Sequence, residues 1–484
     1  MTRSRGLPPD THVRIAIASS GLGHVARGIE AWAADTAVAL ARRGVDVTLF
    51  AGETLQGGRA TGLQGGGTPD HGPRAADHRQ GTIDRGPEIG ACQMGPSTHS
   101  APTSVLPCWK RGGRTARLAA RVMPAFAWRW GLKSAYGWEQ VTFWLRLAPM
   151  LKAGRYDILH VQDPMIAFWC RLWRKRGWLK TKEILAHGTE EPLEFLSRFQ
   201  YVQELAPYYL DRDEESFGGR GSEVRSQKTE TSEQSAEART PLRVLRTTDA
   251  RSGMAREWFS IPNFVDTQRF SPSVPPTPRS EFAISEDAFI ILCVSAIKRT
   301  HKRVDVVIDA VAQLIADTGG IPSLQSSVFN LQSSPQPSIH LIVAGAREQE
   351  TEEIIAYGGD RLGDHLTILA NFPRERMPGL YRMADILVHG SLVEMMPIAL
   401  IEAMASSLPI VAHKWPVIEW TVGPGGTCVD ATRASNLADA AVPYLAPLTR
   451  RAAGLKARQH AVGMFSEVVV VEQMLNVYKH ILSA

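Results

Sequence analysis

Arg14-Ile15-Ala16-Ile17-Ala18-Ser19-Ser20-Gly21-Leu22-Gly23-His24-Val25-Ala26 reads as a short apolar strand, Arg14–Ala18, running into a glycine turn. A helical pattern over Trp32–Arg43 and a second strand at Val45–Ala51 complete a βαβ unit. Further strands are expected at Ile158–Val161 and Glu183–Ala186. After Asn263 the alternation restarts: strand Phe289–Ser295, helix Val304–Ile315, strand His340–Ala344, helix Thr351–Ala356, strand Leu366–Leu369, helix Met377–Arg382, strand Ile386–His389, helix Ala399–Ala405 and strand Pro409–Ala412. Two successive series of this kind predict an α/β chain with two Rossmann-like, doubly wound parallel-sheet domains facing a cleft. Such a cleft is the default ligand site.

The 484 residues, 44% hydrophobic and 21% charged, suit two or three globular domains and exclude collagen-like, disordered and polytopic membrane classes. The five cysteines are scattered without a CxxC pair, so reduced thiols in a cytoplasmic setting are expected. No apolar run near the N-terminus fits a secretion signal, and no run of about 18 apolar residues is present. Three polar stretches, 52–103 with 12 Gly and 5 Pro, 211–250 and the Ser/Gln-rich 318–338, are read as insertions, the first two disordered. This divides the chain into an N-terminal domain over 1–260, a C-terminal domain over 261–465 and a last segment, 466–484.

Two motifs carry chemistry. Gly21-Leu22-Gly23-His24-Val25-Ala26 fits G-x-G-x-x-A between strand and helix, with Glu53 at the end of the second strand. It serves either a dinucleotide or another phosphorylated or sugar ligand. Glu394-Met395-Met396-Pro397-Ile398-Ala399-Leu400-Ile401-Glu402 places two carboxylates eight residues apart, the first in a strand-to-helix loop and the second inside the helix. Free N–H groups at Met395 and Met396 suit a phosphate, and the carboxylates suit sugar or ribose hydroxyls. Capping by Glu394 and a solvated Glu402 are the plainer alternative.

The Glu394-to-Glu402 spacing, with Ala384–Val388 before it and Ala403–Val411 after it, resembles the E-x7-E motif of the retaining family 4 glycosyltransferases. Ile261-Pro262-Asn263-Phe264-Val265-Asp266 looks like that family's interdomain segment, and Ala186-His187-Gly188 like its His-Gly turn. The resemblance implies a GT-B architecture whose N-terminal domain takes the acceptor and whose C-terminal domain takes a nucleotide diphosphate sugar, the last helix crossing back. It implies that Glu402 holds the donor ribose, Glu394 and the backbone of Met395 and Met396 meet the sugar and phosphate, and Gly21–Gly23 closes over the pyrophosphate. It also places His187 beside the reacting centre and requires no metal or other cofactor.

The sequence departs in Val294–Arg303 from the Gly-Arg-x-x-x-x-Lys-Gly pattern usual in the family it resembles. Lys302 takes the place of the family's phosphate-gripping lysine, but Ala296 stands for its arginine, leaving Lys298 or Arg299 to supply a second cation. Asp211-Arg212-Asp213 is formally a DxD, read as a solvated acidic loop and not as a metal site. Trp109–Lys182 carries 16 Lys/Arg against three acids and eight of the twelve tryptophans. That composition fits an anionic membrane surface, with Phe168–Arg176 as the expected exposed piece, or a tryptophan core under a basic exterior. No nucleic-acid signature accompanies it.

The expectation is a glycosyltransferase acting with retention on a glycan or lipid-linked hydroxyl acceptor, cytoplasmic or peripheral on the inner face of the membrane. The alternatives are an NAD(P)-dependent oxidoreductase built on the N-terminal GxGxxA loop and a non-catalytic, membrane-associated member of the family.

Overall fold

The computed structural model describes residues 13–25, 28–53, 101–189, 191–218, 224–228, 242–248, 253–320 and 338–483. Two sheets organise them. The first holds β1 (Arg14–Ser19), β2 (Asp46–Ala51), β3 (Thr103–Val105), β4 (Ile158–Val161), β5 (Lys182–His187), β6 (Tyr201–Glu204), β7 (Val224–Lys228), β8 (Arg243–Thr248) and β9 (Ala255–Ser260), in the order β3-β2-β1-β4-β5-β6-β9-β8-β7. Pairing is parallel from β3 to β9 and antiparallel across β9-β8-β7. The second holds β10 (Phe289–Val294), β11 (Ile339–Gly345), β12 (Leu366–Ala370), β13 (Ile386–His389), β14 (Ile410–His413) and β15 (Gly426–Val429), all parallel in the order β12-β11-β10-β13-β14-β15.

Period-2 alternation explains why β1 is apolar at every central position. Ile15 and Ile17 face one core with Trp32 and Leu40 of α1 (Gly28–Arg42), while Ala16 and Ala18 face another with Phe143 and Trp144 of α3 (Ala135–Gly154) and Ile166 of α4 (Pro164–Lys175). In the second sheet, Ile290 and Leu292 of β10 point to one side and Phe289, Ile291 and Cys293 to the other. In both sheets the strand order reverses beside the first strand, so the loops after β1 and β10 flank the topological switch points where α/β sheets bind ligands.

The final helix, Glu467–Ser483, places Val470, Met474, Val477 and Ile481 in the core of the first sheet. His160 and the Tyr478 hydroxyl meet at 2.7 Å there, and Lys182 Nζ donates to the Ile481 carbonyl at 2.7 Å.

Several expected boundaries move. Thr103–Val105 forms β3 against β2, so the first insertion as expected ends inside a strand; its bulk lies outside the described residues. The stretch 211–250 is not one disordered insertion: it opens inside the helix Pro207–Gly218 and contains β7 and β8, which extend the sheet, with only part of it outside the described residues. The helix Val304–Gly320 runs into the third insertion, of which 321–337 lie outside the description. Phe168–Arg176 is also not the exposed piece of the tryptophan-rich region: Phe168 and Cys170 are buried, and Trp169 and Trp173 pack against the core. The outward-facing residues lie earlier, in α2 (Arg114–Val122) and the turn Ala125–Trp130.

Candidate active site

Strand β13 ends at His389, and the loop that follows carries Glu394 before the helix Ile398–Ala405. Glu394 Oε1 accepts from Lys302 Nζ at 2.5 Å and lies 3.3 Å from His389 Nε2. Lys302 belongs to the loop after β10, so the pair joins the two loops at the switch point. Burial disfavours charge on Glu394, but His389 and Lys302 outweigh it and hold the carboxyl down at about 2.

Glu402 lies on the inner face of the helix and is 7% exposed. The Tyr381 hydroxyl donates to its Oε2 at 2.9 Å, and Arg374 Nη2 stands 3.9 Å from its Oε1. Burial, only partly offset by Arg374, raises this carboxyl to about 7. Arg374 Nη1 also donates to Asp35 of α1 at 3.1 Å, an ion pair across the cleft. Two more contacts fix the loop, one from the segment between the domains and one from the N-terminal domain. Asn263 Nδ2 donates to the Met396 carbonyl at 3.1 Å, and the Tyr209 hydroxyl donates to the Glu394 carbonyl at 2.9 Å.

On the facing side, β5 ends at His187, which is 2% exposed. Its Nδ1 lies 2.9 Å from Glu204 at the end of β6, and its Nε2 lies 3.7 Å from Glu191. Burial opposes the imidazolium, but Glu204 outweighs it and raises the histidine's pKa. A cavity of about 300 Å³ opens between the domains, lined by His187, Glu191, Tyr208 and Arg212 on one side and Met395 and Trp415 on the other.

The Gly21–Gly23 loop leaves β1 at the switch point of the first sheet. Gly23 has φ +99°, and a Cβ there would meet the Glu53 carbonyl at 2.5 Å, so only glycine fits. A Cβ on Gly21 would overlap Glu30 Oε1 and Arg111 Nη2. Beneath the loop lie three buried acids, Glu30, Glu139 and Asp163, with Arg111 and His24 bound to Glu139. Glu53 pairs with Lys110 at 2.7 Å. An acidic underside and an engaged Glu53 disfavour a pyrophosphate and ribose seated on this loop alone. Across the cleft, Gly28 at the start of α1 faces Ile398 at the start of the second helix, with 4.0 Å between a Cβ on Gly28 and Ile398 Cδ1. Two converging helix N-termini are suited to an anion.

The structure therefore brings Lys302 and Glu394 into contact, sets Met395 opposite His187, and places Glu402 in a separate niche with Tyr381 and Arg374. Arg299 is committed elsewhere: its guanidinium covers the Tyr357 ring at 4.7 Å and its N–H donates to Glu350. Lys298 is half-buried in the same loop. The register of the arginine motif also needs correcting. Five residues before Lys302 comes Ile297, which is fully buried; Ala296 stands in the glycine's place. Arg303, following Lys302, adopts φ +51°, a conformation natural to glycine. The DxD residues lie on a helix and not in a loop, Asp211 bound to Arg243 and the buried Asp213 to Arg212. Among the described residues no group of three or more His, Cys, Asp or Glu is placed to hold a metal. Sequence reasoning missed His389, Tyr381, Arg374, Asp35 and Tyr209, each a single residue whose role depends on a partner distant in the chain.

Residues 276–446 match the family model of glycosyl transferases group 1. The chain carries a glycosyl transferases group 1 domain. It covers β10 to β15 and therefore Lys302, Glu394 and Glu402. The chain is 27% identical over 230 residues to D-inositol 3-phosphate glycosyltransferase of Geodermatophilus obscurus, covering 46% of this chain and 47% of that one. It is 27% identical over 174 residues to MMP alpha-(1->4)-mannosyltransferase of Mycolicibacterium hassiacum, covering 35% and 42%. The chain thus spans about half the length of the curated relatives it matches.

The fold of the glycosyltransferase domain and its companion is GT-B. Sucrose-phosphate synthase from Thermosynechococcus elongatus superposes with a TM-score of 0.62 at 17% identity, over 97% of this chain and 99% of that one. Anabaena HepE, solved with UDP and glucose, superposes with a TM-score of 0.57 at 13% identity, over 97% and 100%. Neither comparison lends support to an oxidoreductase.

Proposed function

We propose that this protein transfers a sugar from a nucleotide diphosphate sugar to a hydroxyl acceptor, glycan or lipid-linked, with retention at the anomeric carbon and without a metal. The observation that carries the reading is the Lys302–Glu394 pair at the switch point of the C-terminal sheet, with Glu402 one helix turn beyond and His187 on the facing domain. HepE was solved with UDP-glucose, which supports a nucleotide-sugar donor for this fold.

In this reading Glu402 accepts hydrogen bonds from the ribose hydroxyls, which favour its charged form and add to the partial offset that Arg374 already supplies. The diphosphate lies against Lys302 and the two facing helix N-termini, which neutralise charge as it develops. Glu394 takes sugar hydroxyls, and its ionised state makes it a strong acceptor. His187, held by Glu204, presents Nε2 to the cavity as a donor. The bond from the anomeric carbon to the diphosphate oxygen breaks while the acceptor oxygen bonds to that carbon from the same face. The acceptor proton passes to the departing diphosphate. Positioning and charge stabilisation supply the rate, so no pair of carboxylates spaced for glycosidase chemistry is needed.

A cytoplasmic protein, peripheral on the inner membrane face, fits the basic tryptophan-rich segment. The buried Ile297 in the arginine's place favours one second reading, a non-catalytic member of the family. A thermal-shift panel of UDP, GDP, ADP and NAD(P), followed by donor hydrolysis with the best binder, separates the readings. Protection by a nucleoside diphosphate with hydrolysis supports transfer; protection without hydrolysis leaves the non-catalytic reading, and protection by NAD(P) alone overturns both.

A further inference from the structure

Helix α2, Arg114-Thr115-Ala116-Arg117-Leu118-Ala119-Ala120-Arg121-Val122, packs the wrong way round for a surface helix. Its buried residues are the small Ala116 and Ala120, one turn apart, whereas Leu118 and Val122 are 64% and 68% exposed. Leu118 stands two residues from both alanines and so on the opposite face. The turn that follows adds Phe126, 60% exposed, and Trp130, 42% exposed, which meet edge to face. Large apolar groups exposed on a helix and on the turn that follows it are what a folded protein ordinarily buries.

Charge identifies the occupant. From Trp109 to Trp138 the chain has seven Lys/Arg and no Asp or Glu. Arg114, Arg117 and Arg121 are exposed on the helix that carries Leu118 and Val122. Exposed apolar side chains beside exposed cations match the boundary between anionic headgroups and acyl chains. Single-stranded nucleic acid would instead call for a groove lined with aromatic faces, and Leu118 and Val122 have no such face.

We infer that α2 and the turn Ala125–Trp130 dock this protein on an anionic bilayer, with Leu118, Val122, Phe126 and Trp130 entering the interface. The chain leading into the patch is tied to the glycine loop after β1. Arg111, just ahead of α2, donates to Glu139 and reaches the underside of Gly21, and Trp109 stacks on Trp138 of α3. A lipid acceptor could therefore keep its chains in the bilayer and present its hydroxyl headgroup to the cavity; that last step rests on the function proposed above, but docking itself does not.

The test is sedimentation of the full chain with vesicles of phosphatidylglycerol and phosphatidylcholine or of phosphatidylcholine alone. Binding to the anionic vesicles only, weakened by salt, is expected. Leu118→Ser with Phe126→Ser should weaken it at least tenfold, and each of Arg114→Gln, Arg117→Gln and Arg121→Gln by roughly fivefold. Nucleotide protection in the thermal-shift assay should be unchanged in all of these variants, which shows that they fold and separates a failure of docking from a failure of the donor site. Equal binding to both vesicle types, no binding to either, or displacement by single-stranded RNA at stoichiometric amounts would overturn the proposal. Self-association of the free protein that the Leu118→Ser, Phe126→Ser pair abolishes, without vesicle binding, would overturn it in favour of a second copy.

Discussion

Lys302 and Glu394, 92 residues apart in the chain, meet at 2.5 Å where the loops after β10 and β13 converge. Neither loop alone makes the site; the parallel sheet does, by ending β10 and β13 side by side. The pair sets a cation and an ionised acceptor at one point of the cleft.

Lys302→Ala removes the cation proposed for the departing diphosphate and leaves Glu394 with His389 alone. Turnover should fall by about 10²–10³-fold, as for loss of one preorganised electrostatic group. Nucleotide binding should weaken far less. Steady-state kinetics beside a thermal-shift titration check the split.

Glu402 and Glu394 should give opposite signatures with pH. The folded pKa of Glu402, about 7, is raised. The stability it contributes is present below the ordinary value near 4.5 and is lost as pH rises towards about 7. The folded pKa of Glu394, about 2, is lowered, so its contribution is present above 4.5 and is lost as pH falls towards about 2. Each amounts to roughly 3 kcal/mol. Glu402→Gln should flatten the stability profile between pH 4.5 and 7, and Glu394→Gln the profile below 4.5. Denaturant melts across pH check both.

Glu204→Gln should lower the pKa of His187 towards that of a buried neutral imidazole, because Glu204 is the largest favourable influence on it. The activity limb that depends on protonated His187 should shift to lower pH. A pH–rate profile that does not move would remove His187 from its donor role.

Tyr209→Phe deletes one hydrogen bond between the domains, to the Glu394 carbonyl. We expect a rise in KM of about tenfold with little change in kcat, since the loop keeps its Asn263 contact.

Most of the architecture was legible in the sequence because buried parallel strands are short apolar runs, and Arg14–Ala18, Phe289–Ser295 and Ile386–His389 stand out as such. The first two turned out one residue away from their structural limits. What period and composition could not reveal was the polar extension: Val224–Lys228 is an edge strand, where polar residues are tolerated, and Arg243–Thr248, paired between it and β9, is half polar, so both read as insertion. The E-x7-E spacing located two carboxylates but not their opposite environments. Those depend on Tyr381, Arg374, Asp35 and His389, which become neighbours only once the sheet and the cleft have formed. Tryptophan count likewise could not separate Trp144, buried against Trp173, from the outward Trp130.

The most direct test of the central claim is release of nucleoside diphosphate from a panel of UDP-, GDP- and ADP-sugars by the purified protein, alongside Glu402→Ala and Lys302→Ala. The account predicts release from donors of one nucleobase, lowered a hundredfold or more in both variants while each keeps its melting transition. Normal turnover in both variants would contradict it.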